Sequence, residues 1–279
     1  MGAGAGFASF WRGPLNGFAW ACLASFPRAG ASLTLYAYDL ALDTPPGVVL
    51  ADARTICPDE ELIDAYRVEG KVSIATFSDM FRCRMIRETG ACWVDADLLC
   101  LENPAFAGEP YIFCRQADAV STRLVNNAVL RLPPGEPALH ELLATAEAAA
   151  GHDQPWGALG PFLLTPVLER HGLYGRALDP HVCYPVEPEQ FWKPFLPEWR
   201  DWTHETVRGA TMLHLWSEAI RWSGFDMAVG PPEGSYLHEQ FAALGALPRF
   251  GRIAEADETR RLMERHLAAE AAKARGGKV

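Results

Sequence analysis

The sequence predicts an α/β protein: a mostly parallel, twisted sheet with helices on both faces. Three observations lead there. Short apolar runs alternate with segments of helical periodicity, the pattern of parallel strands joined by crossover helices. Hydrophobic residues make up 49% of the 279-residue chain, enough to cover such a sheet on both sides. An Asp-x-Asp follows one apolar run directly, where sheets of this class collect ligands at the carboxyl ends of strands.

The elements follow in chain order. Residues 7–11 (Phe-Ala-Ser-Phe-Trp) read as a short buried strand, broken by Arg12-Gly13-Pro14. A helix is expected over 15–27, ended by Pro27 and Gly30. Residues 32–39 and 48–51 read as two further strands. The clearest helix of the first half covers 71–89, with Ala75, Phe77, Met80, Phe81, Met85 and Ile86 near helical spacing and Gly90 at the C-cap position. Cys92-Trp93-Val94 restarts as a strand and runs into Asp95-Ala96-Asp97. Strands are expected over 110–115 and 125–131, and helices over 137–150 and 158–170. Residues 185–202 hold four prolines and three tryptophans and read as an irregular, aromatic segment. Thr211 to Trp216 reads as a last core strand, and 254–275 as a charged helix before a loose Gly276-Gly277 tail. No internal repeat or linker divides the chain.

Composition excludes several classes. With 25 basic and 35 acidic residues the formal charge is −10, which disfavours nucleic acid as a partner. A bound divalent cation would still let such a surface take a small anion. Seven cysteines, an odd number with no CxxC pair, read as buried reduced thiols and fit a reducing cytoplasm. No stretch reaches the roughly 18–20 apolar residues of a membrane span, which leaves only peripheral contact with the inner membrane face open.

Asp95 and Asp97 are the first candidates for chemistry. Two aspartates in a turn are often only turn formers. Here they lie between Cys92-Trp93-Val94 and Leu98-Leu99-Cys100-Leu101, so they should be partly buried. Unpaired buried charge is costly, and Mn²⁺ or Mg²⁺, which prefer oxygen ligands, would remove that cost. Asp79 and Arg82 share a helix face and read either as a surface ion pair or as a clamp for hydroxyl groups. His214 is either a core histidine or a third metal ligand, and Asn127 either a turn residue or a partner for a sugar. Trp11 is either core or a face for a nucleobase, and Arg221 either a solvated cation or a diphosphate contact. Trp192, Trp199, Trp202 and Trp216 are either core or the lining of an acceptor groove.

Phe77-Ser-Asp-Met-Phe-Arg82 followed by Gly90-Ala-Cys-Trp-Val-Asp-Ala-Asp97 resembles the glycosyltransferases with a DxD sugar-binding region, glycosyltransferase family 32. The family pattern is Ser-Asp-x-x-Arg, a helix, Gly-Gly-x-Tyr/Trp and Asp-x-Asp; Gly90-Ala91 departs from it. Phe10-Trp11-Arg12-Gly13, Asn127-Ala-Val-Leu, Gly160-Pro161 with Leu163-Leu164-Thr165, and His214-Leu215-Trp216 extend the likeness over 7–222, most densely over 77–101.

The resemblance implies a GT-A fold and a metal-dependent hexosyltransferase. Such an enzyme moves a hexose from a nucleotide-diphosphate sugar, UDP-sugar favoured, to a glycan or glycolipid hydroxyl with retention of configuration. It implies Asp95 and Asp97 on metal and donor, Asp79 and Arg82 on the donor sugar, and Trp11 and Asn127 as further donor contacts; Arg221 stays open between a diphosphate contact and a solvated cation. Related glycogenin-like transferases place a late histidine on the metal, which would be His214. The chain then divides into a nucleotide-sugar half (1–100), an acceptor half (101–252) and a C-terminal helix and tail (253–279) within one domain. Two rivals stay open. A sugar nucleotidyltransferase needs a glycine-rich loop after its first strand, whereas Gly2 to Gly6 precedes it and lacks a nearby lysine. An inactive carbohydrate-binding relative would have little reason to keep Asp79, Arg82, Asp95 and Asp97 together.

Overall fold

The computed structural model describes residues 6–117 and 123–276. In chain order it places β1 (Phe7–Trp11), α1 (Gly17–Arg28), β2 (Leu33–Ala37), β3 (Val48–Asp52), β4 (Arg67–Val68), β5 (Lys71–Val72), α2 (Ile74–Thr89), β6 (Cys92–Val94), β7 (Leu98–Cys100), β8 (Ile112–Arg115) and β9 (Val125–Arg131). There follow α3 (Pro137–Ala148), β10 (Asp153–Gln154), α4 (Pro161–Arg170), α5 (Pro180–Cys183), α6 (Arg200–Thr206), β11 (Met212–His214), α7 (Ser217–Trp222), β12 (Val229–Gly230), α8 (Tyr236–Ala243), β13 (Arg252–Ile253) and α9 (Ala256–Gly276).

The central sheet has six strands in the order β3-β2-β1-β6-β9-β8. β1 pairs in parallel with β2 and β6, and β2 with β3, while β9 runs antiparallel to both β6 and β8. β9 is therefore the one reversed strand of a mostly parallel sheet. The α/β class expected from the sequence is present.

The strands are short and apolar on both sides because both faces are covered. Ala8, Phe10, Trp93 and Phe113 point into one core with α2, α3 and α4, and Phe7, Cys92, Val94, Ile112 and Cys114 point into another with Leu23 and Phe26 of α1. A third core forms on the far side of α1, where Phe18 meets Phe195, Phe225, Phe241 and Phe250 edge-on or tilted.

Connectivity places the site. The chain leaves β1 through α1 and builds outward to β2 and β3. It then returns through α2 to lay β6 on the other side of β1. β1 and β6 are thus adjacent parallel strands whose connections depart in opposite directions. The crevice outside the carboxyl ends of such a pair is where open α/β sheets bind ligands.

Local chemistry sets the helix ends. Ser73 caps α2 by accepting from the Thr76 N–H at 3.2 Å, and Gly90 closes it in the left-handed region at φ 66°. Several expected boundaries shift. Lys71 and Val72 belong to a hairpin strand, so α2 begins only at Ile74. Pro27 sits within the last turn of α1 instead of ending it, and α4 starts at Pro161, where a missing N–H costs nothing. Gly276 ends α9, whereas Gly277 and most of the Gly2–Gly6 run lie outside the described residues.

Candidate functional site

The carboxyl ends of β1 and β6 open on a cleft of about 610 Å³. Trp11 and Arg12 reach it from β1, and Asp95, Ala96 and Asp97 from the turn after β6. Lys71, Val72, Ile74, Ser78 and Arg82 come from the hairpin and α2; Ser217, Glu218 and Arg221 come from α7.

Asp95 and Asp97 occupy a tight turn between β6 and β7. The Asp95 N–H donates to Ala128 O at 2.8 Å, and the Leu98 N–H returns to Asp95 O at 3.3 Å. β7 pairs antiparallel with β11, setting Leu98 opposite His214. That pairing brings the histidine to the two aspartates: one ligand atom from each of Asp95, Asp97 and His214 lies within 4.8 Å of the others. His214 Nε2 is 3.1 Å from Asp97 Oδ1. Two carboxylates and an imidazole, with His214 Nδ1 buried and unpartnered among the described residues, form a donor set that fits a divalent cation.

Asp97 is also gripped by the backbone. The Leu215 N–H donates to its carbonyl and the Ser217 N–H to Oδ2, both at 2.9 Å. Between them Trp216 sits in the left-handed region at φ 56°, a strained conformation for a bulky residue. The reversal at Trp216 turns the two flanking amides onto the same aspartate. Its indole packs edge-on against His214 at 4.2 Å between ring centroids and donates to Val186 O, while Tyr184 closes on the histidine ring at 5.6 Å. Burial alone would raise the Asp97 pKa. The neighbouring imidazole and the Ser217 amide outweigh it and hold the carboxyl well below its ordinary value. Burial works against the His214 cation too, but Asp97 more than compensates and its pKa rises.

Arg82 is the second organiser. Only 4% exposed, it bonds to Asp79 Oδ1 at 3.1 Å and Asp95 Oδ1 at 3.3 Å. It also donates to the Asn127 carbonyl and lies over the Trp93 ring at 4.9 Å. The Trp93 indole N–H donates to the same Asp95 oxygen at 2.6 Å. Asn127 Nδ2 donates to Asp79 Oδ1 at 2.8 Å. Burial raises the Asp79 pKa to about 6: Arg82 opposes the rise, Asp95 adds to it and the Asn127 hydrogen bond lowers it again.

The eight donor and metal candidates from the sequence gather at this crevice, in two layers. Trp11, Arg82, Asp95, Asp97 and Arg221 line the cleft, whereas Asp79, Asn127 and His214 stand one layer behind it, bonded to residues that do. None of Trp192, Trp199, Trp202 and Trp216, read from the sequence as either core or the lining of an acceptor groove, lines this cleft. Trp192, Trp199 and Trp202 instead surround the Lys193 ammonium, which sits 4.0 Å from the Trp202 centroid and 4.5 Å from that of Trp199. Sequence reading missed Trp93 and Tyr184 as partners of the cluster, since each also looks like an ordinary core residue. It also missed Trp156, which lines the cleft from a loop.

No family model matches the sequence, and no curated protein matches it. Among solved structures, a chain described as "PaToxG Glycosyltransferase" is similar over 59% of this chain and 68% of its own, with 15% identity and a TM-score of 0.44. All seven cysteines are buried and free, and among the described residues no helix is long and apolar enough to cross a membrane.

Proposed function

We propose that this chain is a metal-dependent glycosyltransferase of the GT-A type, moving a hexose from a nucleotide-diphosphate sugar to a hydroxyl of a glycan or glycolipid. One observation carries the reading: the Asp95/Asp97/His214 cluster sits at the switch point of a mostly parallel sheet and opens on a cleft of about 610 Å³, within the size range of small-molecule sites.

Asp95, Asp97 and His214 would hold Mn²⁺ or Mg²⁺. The ion would supply positive charge to a leaving diphosphate, in a surface that is otherwise acidic. Arg82 holds Asp95 through their ion pair at 3.3 Å, and Asp79 and Asn127 keep Arg82 in place. Trp11 offers the nucleobase a face at the end of β1. Lys71 and Arg221, both lining the cleft, are the cations that a diphosphate would meet on entry, Arg221 exchanging its exposed Glu218 partner for the ligand. UDP-sugar is the favoured donor by the resemblance noted in the sequence. Retention is the favoured stereochemistry by the same resemblance.

The test is donor turnover. Purified protein with Mn²⁺ is incubated separately with UDP-glucose, UDP-galactose, UDP-N-acetylglucosamine and GDP-mannose, and release of the nucleoside diphosphate is followed. Release from one donor class, abolished by Asp97→Ala, is the expected result. No release from any of them, with or without an acceptor mixture, would contradict the reading.

A further inference from the structure

Trp156 at the cleft, and Trp222 packed against it, have no role in the core. Trp156 is 54% exposed and Trp222 59%, and neither belongs to any of the three hydrophobic cores. An exposed indole forfeits its large apolar burial, so two in contact at one spot form a patch that calls for a ligand. Their rings meet edge to face at 5.1 Å between centroids and 62° between planes.

Both are held in place from below. Trp156 sits in a turn closed by Ala158 N–H to Pro155 O at 3.2 Å and Gly160 N–H to Gly157 O at 3.0 Å. Gly157 has φ +74°, and the Phe162 ring lies within 3.2 Å of where a Cβ would be, so the turn has little freedom. Gly160 in turn abuts the Asn127 side chain, which is bonded to Asp79. Trp222 ends α7, whose first residue Ser217 donates its N–H to Asp97. The pair therefore joins two elements that are each tied to the carboxylate cluster. Val72 and Ile74, 44% and 41% exposed, line the same cleft from the hairpin side. The result is an apolar mouth above a charged floor.

We propose that Trp156 and Trp222 form the acceptor subsite, a platform for a pyranose ring of the glycan or glycolipid that receives the hexose. The proposal rests on the transferase reading above and adds the acceptor class and the residues that take it. A pyranose matches both halves of the surface: its C–H face stacks on an indole, and its hydroxyls point to the polar floor. Trp156 lines the cleft itself. It therefore borders the space where transfer would occur, a position that suits a sugar acceptor better than a bilayer.

Binding is measured without donor turnover. Saturation-transfer NMR is run with methyl α-mannopyranoside, methyl β-galactopyranoside and methyl β-glucopyranoside on wild type, Trp156→Ala and Trp222→Ala, each first shown by thermal melt to be folded. We expect transfer to the ring C–H protons of at least one glycoside in wild type, reduced roughly tenfold in each variant, as for loss of a stacked ring. Equal transfer in all three proteins, or none to any glycoside, would overturn the platform. So would tryptophan-dependent sedimentation with phosphatidylglycerol–phosphatidylethanolamine vesicles in place of glycoside binding. Nucleotide release from the donor is a separate readout, so failure of the donor reading and failure of the platform are told apart.

Discussion

The floor of the cleft and its rim use the same kinds of charged residue in opposite ways. On the floor, Arg82 and Asp79 form an ion pair with side-chain exposures of 5% and 13%. On the rim, Arg221 pairs with Glu218 and Arg12 with Glu60, all four side chains more than a third exposed. A buried pair binds its partners into one unit, because removing either member strands the other away from water. An exposed pair exchanges readily for water and contributes little. The floor is thus a preformed scaffold for Asp95 and Asp97, and the rim is free to meet a ligand.

The largest effect that sharpens this contrast is expected from Arg82→Ala. It leaves Asp79 and Asp95 without their shared cation and should destabilise the fold by about 3–5 kcal/mol in urea unfolding. A loss below about 1 kcal/mol, the range of an exposed pair, would erase the distinction.

Acid titration of the metal-free protein gives the next effect. Asp79 has a folded-state pKa raised to about 6, above its unfolded value of 3.8. The folded state then binds the extra proton between those values, so this group makes the protein more stable as pH falls from 7 toward 4, by about 1–3 kcal/mol. Asp79→Asn should flatten stability over that window; an unchanged slope would show that Asp79 is not held in this way.

Trp216 supplies a smaller contrast within the floor. Replacement by alanine or glycine removes the same indole, but only glycine takes φ 56° without strain. Trp216→Gly should therefore be the more stable variant by about 1 kcal/mol. The reverse order would mean that the turn onto Asp97 relaxes freely. The smallest effect belongs to the rim: Arg221→Ala should change stability by no more than about 0.5 kcal/mol. Its effect should fall on nucleotide affinity, read by titration.

How much of this was legible in the sequence depends on what holds each part together. The sheet and most of α2 were, because periodicity and Gly90 are local signals, whereas the Ser73 cap went unread and the helix start was set three residues early. The Asp95/Asp97 turn was marked by its apolar flanks. His214 lies 117 positions from Asp97. The β7–β11 pairing brings them together, and no local pattern encodes it; the family resemblance, not spacing, pointed to His214. Asp79 and Asn127 were found as residues, but their position one layer back depends on Arg82 turning inward. Which tryptophans reach the cleft was not legible. The tryptophans crowded into 185–202 enclose Lys193 between short 3₁₀ turns, whereas Trp156 and Trp222 are solitary residues in separate elements whose contact is purely tertiary.

The central claim is that Asp95, Asp97 and His214 hold a cation that carries a nucleotide diphosphate. It is tested most directly by calorimetric titration of UDP and GDP into the protein with and without Mn²⁺, repeated with Asp97→Ala and His214→Ala. The account predicts that one nucleotide binds in the presence of Mn²⁺, and that omitting the metal or removing either ligand weakens binding at least about tenfold. Binding of equal strength without Mn²⁺ or in both variants, or no binding of either nucleotide under any condition, would contradict it.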